Sequence, residues 1–232
     1  MQNHLAVPAK ILICLMARHR GERLVAAAKA AGARGGTLAL GQSLGNSRIL
    51  QALSLADIQQ DVVFTVMGGE CDDVLAAIRK AALEDPKRLS GTALVLDVPE
   101  LFIRKSGPNP PQPMSDKTRS TMMESGYKMI TAIVNAGFAD DVMTAARKAG
   151  ATGGTIIGAR GTGTEEDVKF FGITLVPEKE MLMIVAKENQ VQGIVEAIAS
   201  VPTLAEPGGG VVFNMNVEQF ILLGDQKTWE KS

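Results

Sequence analysis

Side chains suited to chemistry are few in this chain, and most stand where a helix end or a solvated loop accounts for them. The two histidines, His4 and His19, have no spacing from cysteine or carboxylate that would make a zinc site. Cys14 sits in an apolar run and Cys71 opens a helical pattern, so the pair suggests neither a disulfide framework nor a redox motif. Glu22, Asp72-Asp73 and Asp140-Asp141 fall at helix starts, where carboxylates oppose the positive end of the helix dipole. Glu165-Glu166-Asp167 lies in a loop. These residues give no catalytic group and no metal ligand.

Two glycine-rich stretches carry more. GARGTGTEED, Gly158 to Asp167, follows a strand pattern, and its backbone N–H groups together with the Arg160 guanidinium suit an anion. It is not a P-loop, because no lysine follows the glycines. In AEPGGGVVF, Ala205 to Phe213, the glycines Gly208, Gly209 and Gly210 allow either close approach of a phosphate or only a tight lead into the last strand. Both loops leave strands expected to be neighbours. The corresponding stretches of the first half, GQSLGNSR and PKRLSGTAL, hold less glycine, which makes the second half the better binder.

The elements that must position these loops repeat. Shifted by 118, Lys10 to Gln42 falls on Lys128 to Arg160 with nine identities in 33 ungapped positions, among them Ala31-Gly32-Ala33 on Ala149-Gly150-Ala151 and Gly35-Gly36-Thr37 on Gly153-Gly154-Thr155. The shift grows to 120 where Val74, Leu75 and Ile78 fall on Ile194, Val195 and Ile198. It returns to 118 where Glu100 and Phe102 fall on Glu218 and Phe220. Such agreement makes the chain a duplication.

After a loose leader over residues 1–9, the first half predicts strands at Ile11 to Met16, Thr37 to Leu40, Val62 to Met67 and Thr92 to Val98. Helices are predicted from Gly21 to a C-cap at Gly32, and over Glu70 to Ala82 with Val74, Leu75, Ile78 and Ala81 inward. The second half predicts strands at Met129 to Val134, Thr155 to Ala159, Met181 to Ala186 and Val211 to Met215. Its helices are Ala139 to Ala149 and Asn189 to Ser200. Each half is β-α-β-β-α-β, so the fold class is α+β, two tandem ferredoxin-like units. Domain 1 spans residues 10–105, a Pro- and Ser-rich linker 106–126, and domain 2 residues 127–224. The long connections Gly41 to Gln60 and Glu165 to Pro177 are expected to be mobile.

A net charge of -1 and 4% aromatic residues give no basic patch and no stacking platform for nucleic acid. The first apolar run lacks a preceding basic region and ends at Arg18 and Arg20, so it reads neither as a signal peptide nor as a membrane span. A cytoplasmic location is expected.

The order strand, helix, ARGG or ATGGT, long loop, strand, helix, glycine-bearing loop and strand resembles the nitrogen regulatory protein P-II family and its PII-like relatives, over residues 10–105 and 128–224. The resemblance implies a non-enzymatic signalling protein built as a trimer or, with two units per chain, a six-unit assembly. The connection after the second strand would be the T-loop that contacts a regulated enzyme or membrane transporter. The implied effector is an adenine nucleotide, ADP, AMP or ATP, held between subunits. Residue by residue, Gly158, Arg160, Gly161 and Gly163 fall at the T-loop base and Gly208, Gly209 and Gly210 in the nucleotide-contacting loop. Departures are visible. Val211 stands where the family has a phosphate-contacting lysine, the closing arginine run becomes IRKSG and ILLGD, and the only tyrosine is Tyr127, outside either T-loop. The alternatives are a metal-associated trimer of the copper-tolerance type and a duplicated scaffold without ligand.

Overall fold

The computed structural model describes residues 4–44, 57–86, 89–104, 125–161, 169–170, 173–174, 178–205 and 209–223. The chain divides into two compact units, Met1–Ala39 with Gln60–Tyr127 and Asn216–Ser232, and Leu40–Gln59 with Lys128–Met215.

In unit 1, β1 (His4–Ala17) pairs antiparallel with β3 (Asp57–Met67) on one side and β4 (Gly91–Arg104) on the other. With β2 (Thr37–Leu44) the order is β2-β3-β1-β4, as in ferredoxin-like folds, and β11 (Gln219–Leu223) lies outside β4. The period-2 alternation of β1 sends Leu12, Cys14 and Met16 into a core shared with Leu24 and Ala28 of α1 (Gly21–Ala30). Val74, Leu75 and Ile78 of α2 (Cys71–Glu84) complete it. Ala81 is half-buried beside them.

Unit 2 repeats the plan. Its main elements are β5 (Tyr127–Asn135), α3 (Ala139–Lys148), β6 (Gly154–Arg160), β9 (Glu178–Lys187), α4 (Glu188–Ala199) and β10 (Gly210–Val217). The order is β10-β5-β9-β6, the same arrangement, and Gly41–Leu44 of β2 pairs with Gly154–Ile157 of β6. A small hairpin, β7 (Lys169–Phe170) with β8 (Ile173–Thr174), and a short α5 (Pro202–Ala205) were not expected from sequence.

Duplicate local chemistry sets both first helices. Gly32 has φ +106 and donates its N–H to Lys29 O while Ala33 N–H reaches Ala28 O. At Gly150, φ +105, the same two bonds run to Arg147 O and from Ala151 to Ala146 O. This is a Schellman closure, and only a residue without Cβ takes that φ without strain. At the other end the carboxylate comes from the sheet. Asp61 of β3 accepts the Gly21 N–H at 2.9 Å, and Glu180 of β9 accepts the Ala139 N–H at 3.0 Å.

Several boundaries differ from expectation. Residues from His4 on are strand and not a loose leader, because His4 to Val7 pair with Arg104 to Leu101 past an irregularity at Pro8. A residue without a backbone N–H is at home where the ladder is interrupted. The fourth strand accordingly runs on to Arg104. Strands also extend into the first long connection, to Leu44 on one side and from Asp57 on the other. The remainder of that connection, 45–56, most of the expected linker, 105–124, and residues 162–168, 171–172 and 175–177 of the second long connection lie outside the described residues.

Candidate functional site

Gly158, Arg160 and Gly161 stand at the end of β6, with Gly158 and Arg160 exposed and Gly161 half-buried. In register, Gly158 faces Glu180 and Arg160 faces Glu178 of β9. A Cβ built on Gly158 would meet nothing within 4 Å, so no contact inside the chain requires glycine there. Gly210 is the opposite case. A Cβ there would come within 2.6 Å of Ile133 O and 2.8 Å of a Leu204 methyl, so β10 can start beside β5 only without a side chain. Gly209 is buried, and Gly163 and Gly208 lie outside the described residues.

The two loops are not on neighbouring strands. β6 and β10 are opposite edges of the order β10-β5-β9-β6, so three inter-strand spacings of about 4.8 Å each separate them. They share one end of the sheet, since Arg160 pairs with Glu178, Glu178 O accepts the Ala136 N–H, and Gly210 abuts Val134. Sequence adjacency of loop to strand says nothing of which strands pair, and the ferredoxin-like order parts the second strand from the fourth. One unit therefore does not gather both glycine loops around one ligand.

The electrostatics of this end are mixed. Lys179 donates to Asn135 Oδ1 at 2.5 Å, and Glu180 accepts the Ala139 N–H that opens α3, which sets a carboxylate at that helix N-terminus. Arg160 is the exposed cation beside the open Gly158. Val211 does not pack inward as the first strand residue; it is 56% exposed, while Val212 packs on the core.

Sequence reasoning missed a charged cluster in unit 1. Lys10 is 2% exposed, and its ammonium donates to Asp97 Oδ1 at 2.8 Å and to Glu218 Oε1 at 2.5 Å. Burial pulls its pKa down, but the two hydrogen bonds and the charges behind them outweigh it and leave the ammonium above its usual value. The signal available was a lysine opening the most apolar run of the half, a place where a cation needs a partner. The cluster fastens the Asn216–Ser232 segment to unit 1. Nearby, burial and then the Asp72 charge push the Cys71 thiol up to about 12, and burial pushes Cys14 higher. Both are buried, free and protonated near neutrality, which is inert chemistry. Among the described residues no group of three His, Cys, Asp or Glu side chains could hold a metal, and no helix is long and apolar enough to cross a membrane.

Comparison with known proteins places this geometry. The family model described as nitrogen regulatory protein P-II matches residues 127–227. Among solved structures, Arabidopsis thaliana PII bound to citrate is 25% identical, with 39% of this chain and 74% of that chain covered and a TM-score of 0.31. The B. subtilis GlnK-ATP complex is 18% identical, with 41% and 85% covered and a TM-score of 0.34. No curated protein matches the chain. The P-II match points the second half to a non-enzymatic regulatory role. The chain thus carries a PII-like domain over residues 127–227, preceded by a unit of the same strand and helix order, a PII-like fold duplicated in tandem.

Proposed function

We propose that this chain is a signal-transduction protein of PII type that senses an adenine nucleotide and passes the state of its site to a partner enzyme or membrane transporter in the cytoplasm. The P-II match over residues 127–227 carries this reading. Domain 127–224 would hold the effector site and domain 10–105, joined to it by the linker 106–126, would stabilise the assembly, with the long connections 41–60 and 165–177 as the partner-contacting loops. The chain would work as a trimer or hexamer, which also brings the loop at Arg160 of one copy to the Gly208–Gly210 loop of another. An open Gly158 beside an exposed Arg160 suits the approach of a phosphate. With Val211 in place of a cation, the site should prefer a mono- or diphosphate to a triphosphate.

Titration with labelled ATP, ADP, AMP and cyclic AMP tests this on the intact chain and on Arg160→Ala and Gly158→Val. ADP or AMP should bind more tightly than ATP. Arg160→Ala should weaken binding about 10- to 100-fold, the loss of one charge-assisted contact of about 1.5–3 kcal/mol. Tighter binding of ATP would overturn the preference. Absence of all nucleotide binding, or variants that bind like the parent, would overturn the site.

A further inference from the structure

We propose that the open edge of β10 receives a strand from a second copy of this chain, the segment Leu101–Arg104 of that copy's β4, in the register that β11 already adopts on β4. The inference rests on the self-association proposed above and names its contact.

Unit 1 supplies the template. Its β4 is covered on the outer edge by β11, antiparallel, with Phe220 opposite Leu94, Ile221 opposite Ala93 and Leu222 opposite Thr92. The equivalent strand of unit 2 is β10, as the glycines that open the two strands show. Gly91 lies against Leu15 O and Met16, and Gly210 against Ile133 O and Val134, positions 118 apart in the repeat. Yet β10 has β5 as its only strand neighbour among the described residues, so its outer N–H and C=O groups form an unpaired edge.

Exposure differs on the two strands as well. Gly91 corresponds to Gly210, so Leu94 and Leu96 correspond to Phe213 and Met215. In unit 1 they are 1% and 2% exposed; in unit 2 they are 41% and 39% exposed, with Val211 at 56% on the same face. An added strand would pair the free backbone of this edge and set its own side chains beside Val211 and Phe213 on that face.

The repeat also names the occupant. Glu218 and Phe220 correspond to Glu100 and Phe102, so the counterpart of β11 is the end of β4. Leu101 to Arg104 pair with Val7 to His4 on one side, and β11 covers β4 only over Gly91–Val95. The other side of this arm is unpaired among the described residues. Laid on β10 as β11 lies on β4, the second copy's arm would set its Phe102 opposite Phe213, its Ile103 opposite Val212 and its Arg104 opposite Val211.

The charge pattern agrees. Lys128 is the counterpart of Lys10, but its side chain is 25% exposed and bonded at 3.0 Å to the exposed Glu188. Asn216 stands where unit 1 has Asp97. The carboxylate that Lys10 receives from Glu218 would reach Lys128 from Glu100 of the second copy. Because donor and acceptor are different surfaces, the contact is head-to-tail, and it closes a ring of chains or continues as a filament.

Cysteines read the register. Directly opposed residues of an antiparallel pair lie about 4.5–5.5 Å apart at Cα, within disulfide reach, whereas a two-residue offset gives about 7–8 Å. The double variant Arg104→Cys/Val211→Cys should, under mild oxidation, form a reducible ladder of covalent multimers at least ten times faster than Arg104→Cys/Phe213→Cys. Neither single variant should form a ladder, since Cys14 and Cys71 are buried. Sedimentation of the parent chain is run alongside. No ladder, equal rates in both double variants, or a disulfide closed within one chain would overturn this docking while an oligomeric parent leaves self-association standing. A monomeric parent would overturn both.

Discussion

Gly158 and Gly210 share a side chain and differ in what requires it. At Gly210 an added methyl would press on the Ile133 carbonyl, and a backbone atom in a paired strand has nowhere to go. Gly210→Ala should therefore lower stability by about 2 kcal/mol, as overpacking does. Gly158→Ala should stay within about 0.5 kcal/mol of the parent, like other open surface changes. Urea midpoints at constant slope measure both. A stable Gly210→Ala protein would free that glycine for a ligand role, and an unstable Gly158→Ala protein would remove the reason to seek one there. The sequence could not separate the two glycines. Each merely followed or preceded a strand, and the distinction lies in a carbonyl contributed by a strand some 75 residues away.

At the scale of elements, β11 is the part of unit 1 most exposed to a single cut. Ile221 and Leu223 are buried in the core of that unit, and Glu218 answers Lys10. Glu218→Gln keeps the shape but weakens a charge-assisted bond, and about 1.5–3 kcal/mol should be lost. Ending the chain at Val217 should cost more, about 4 kcal/mol or above, as two buried aliphatic side chains are lost as well. Denaturation should show unit 1 failing first, and equal losses in the two variants would mean that the strand contributes only its carboxylate. The helices and inner strands were legible because each writes its own period, and Gly32 and Gly150 announced their closures. β11 was not, since a five-residue apolar segment near the C-terminus carries no mark of the strand it will pair with. The extension of β1 back to His4 escaped notice for the same reason, its partner being the far end of β4.

For the whole molecule, the units do not coincide with the halves of the chain. Unit 1 takes Asn216–Ser232 from the second half, and unit 2 takes Leu40–Gln59 from the first. Produced separately, fragments 1–126 and 127–232 should each melt below the intact protein, the first lacking β11 and the second lacking the strand Gly41–Leu44 on β6. Mixed, they should combine one to one and recover the intact melting profile. A fragment 1–126 as stable as the intact protein would show that the tail only decorates unit 1. The tandem repeat was readable from aligned residues such as Lys10 and Lys128, but the exchange of segments was not, because repetition fixes what folds alike and leaves open which copy completes which.

The bond between Lys10 and Glu218 spans 208 positions, and that separation has a meaning in time. A ribosome adding about 5–20 residues per second leaves roughly 10–40 seconds between the two side chains. During that interval the first-made unit has its helices and inner strands but an uncovered β4 edge and an ammonium missing its second carboxylate. The unit synthesised first is thus finished last. A nascent chain of this design waits with a sticky strand edge in the open, where a holding chaperone or an early neighbour on the same messenger would find it.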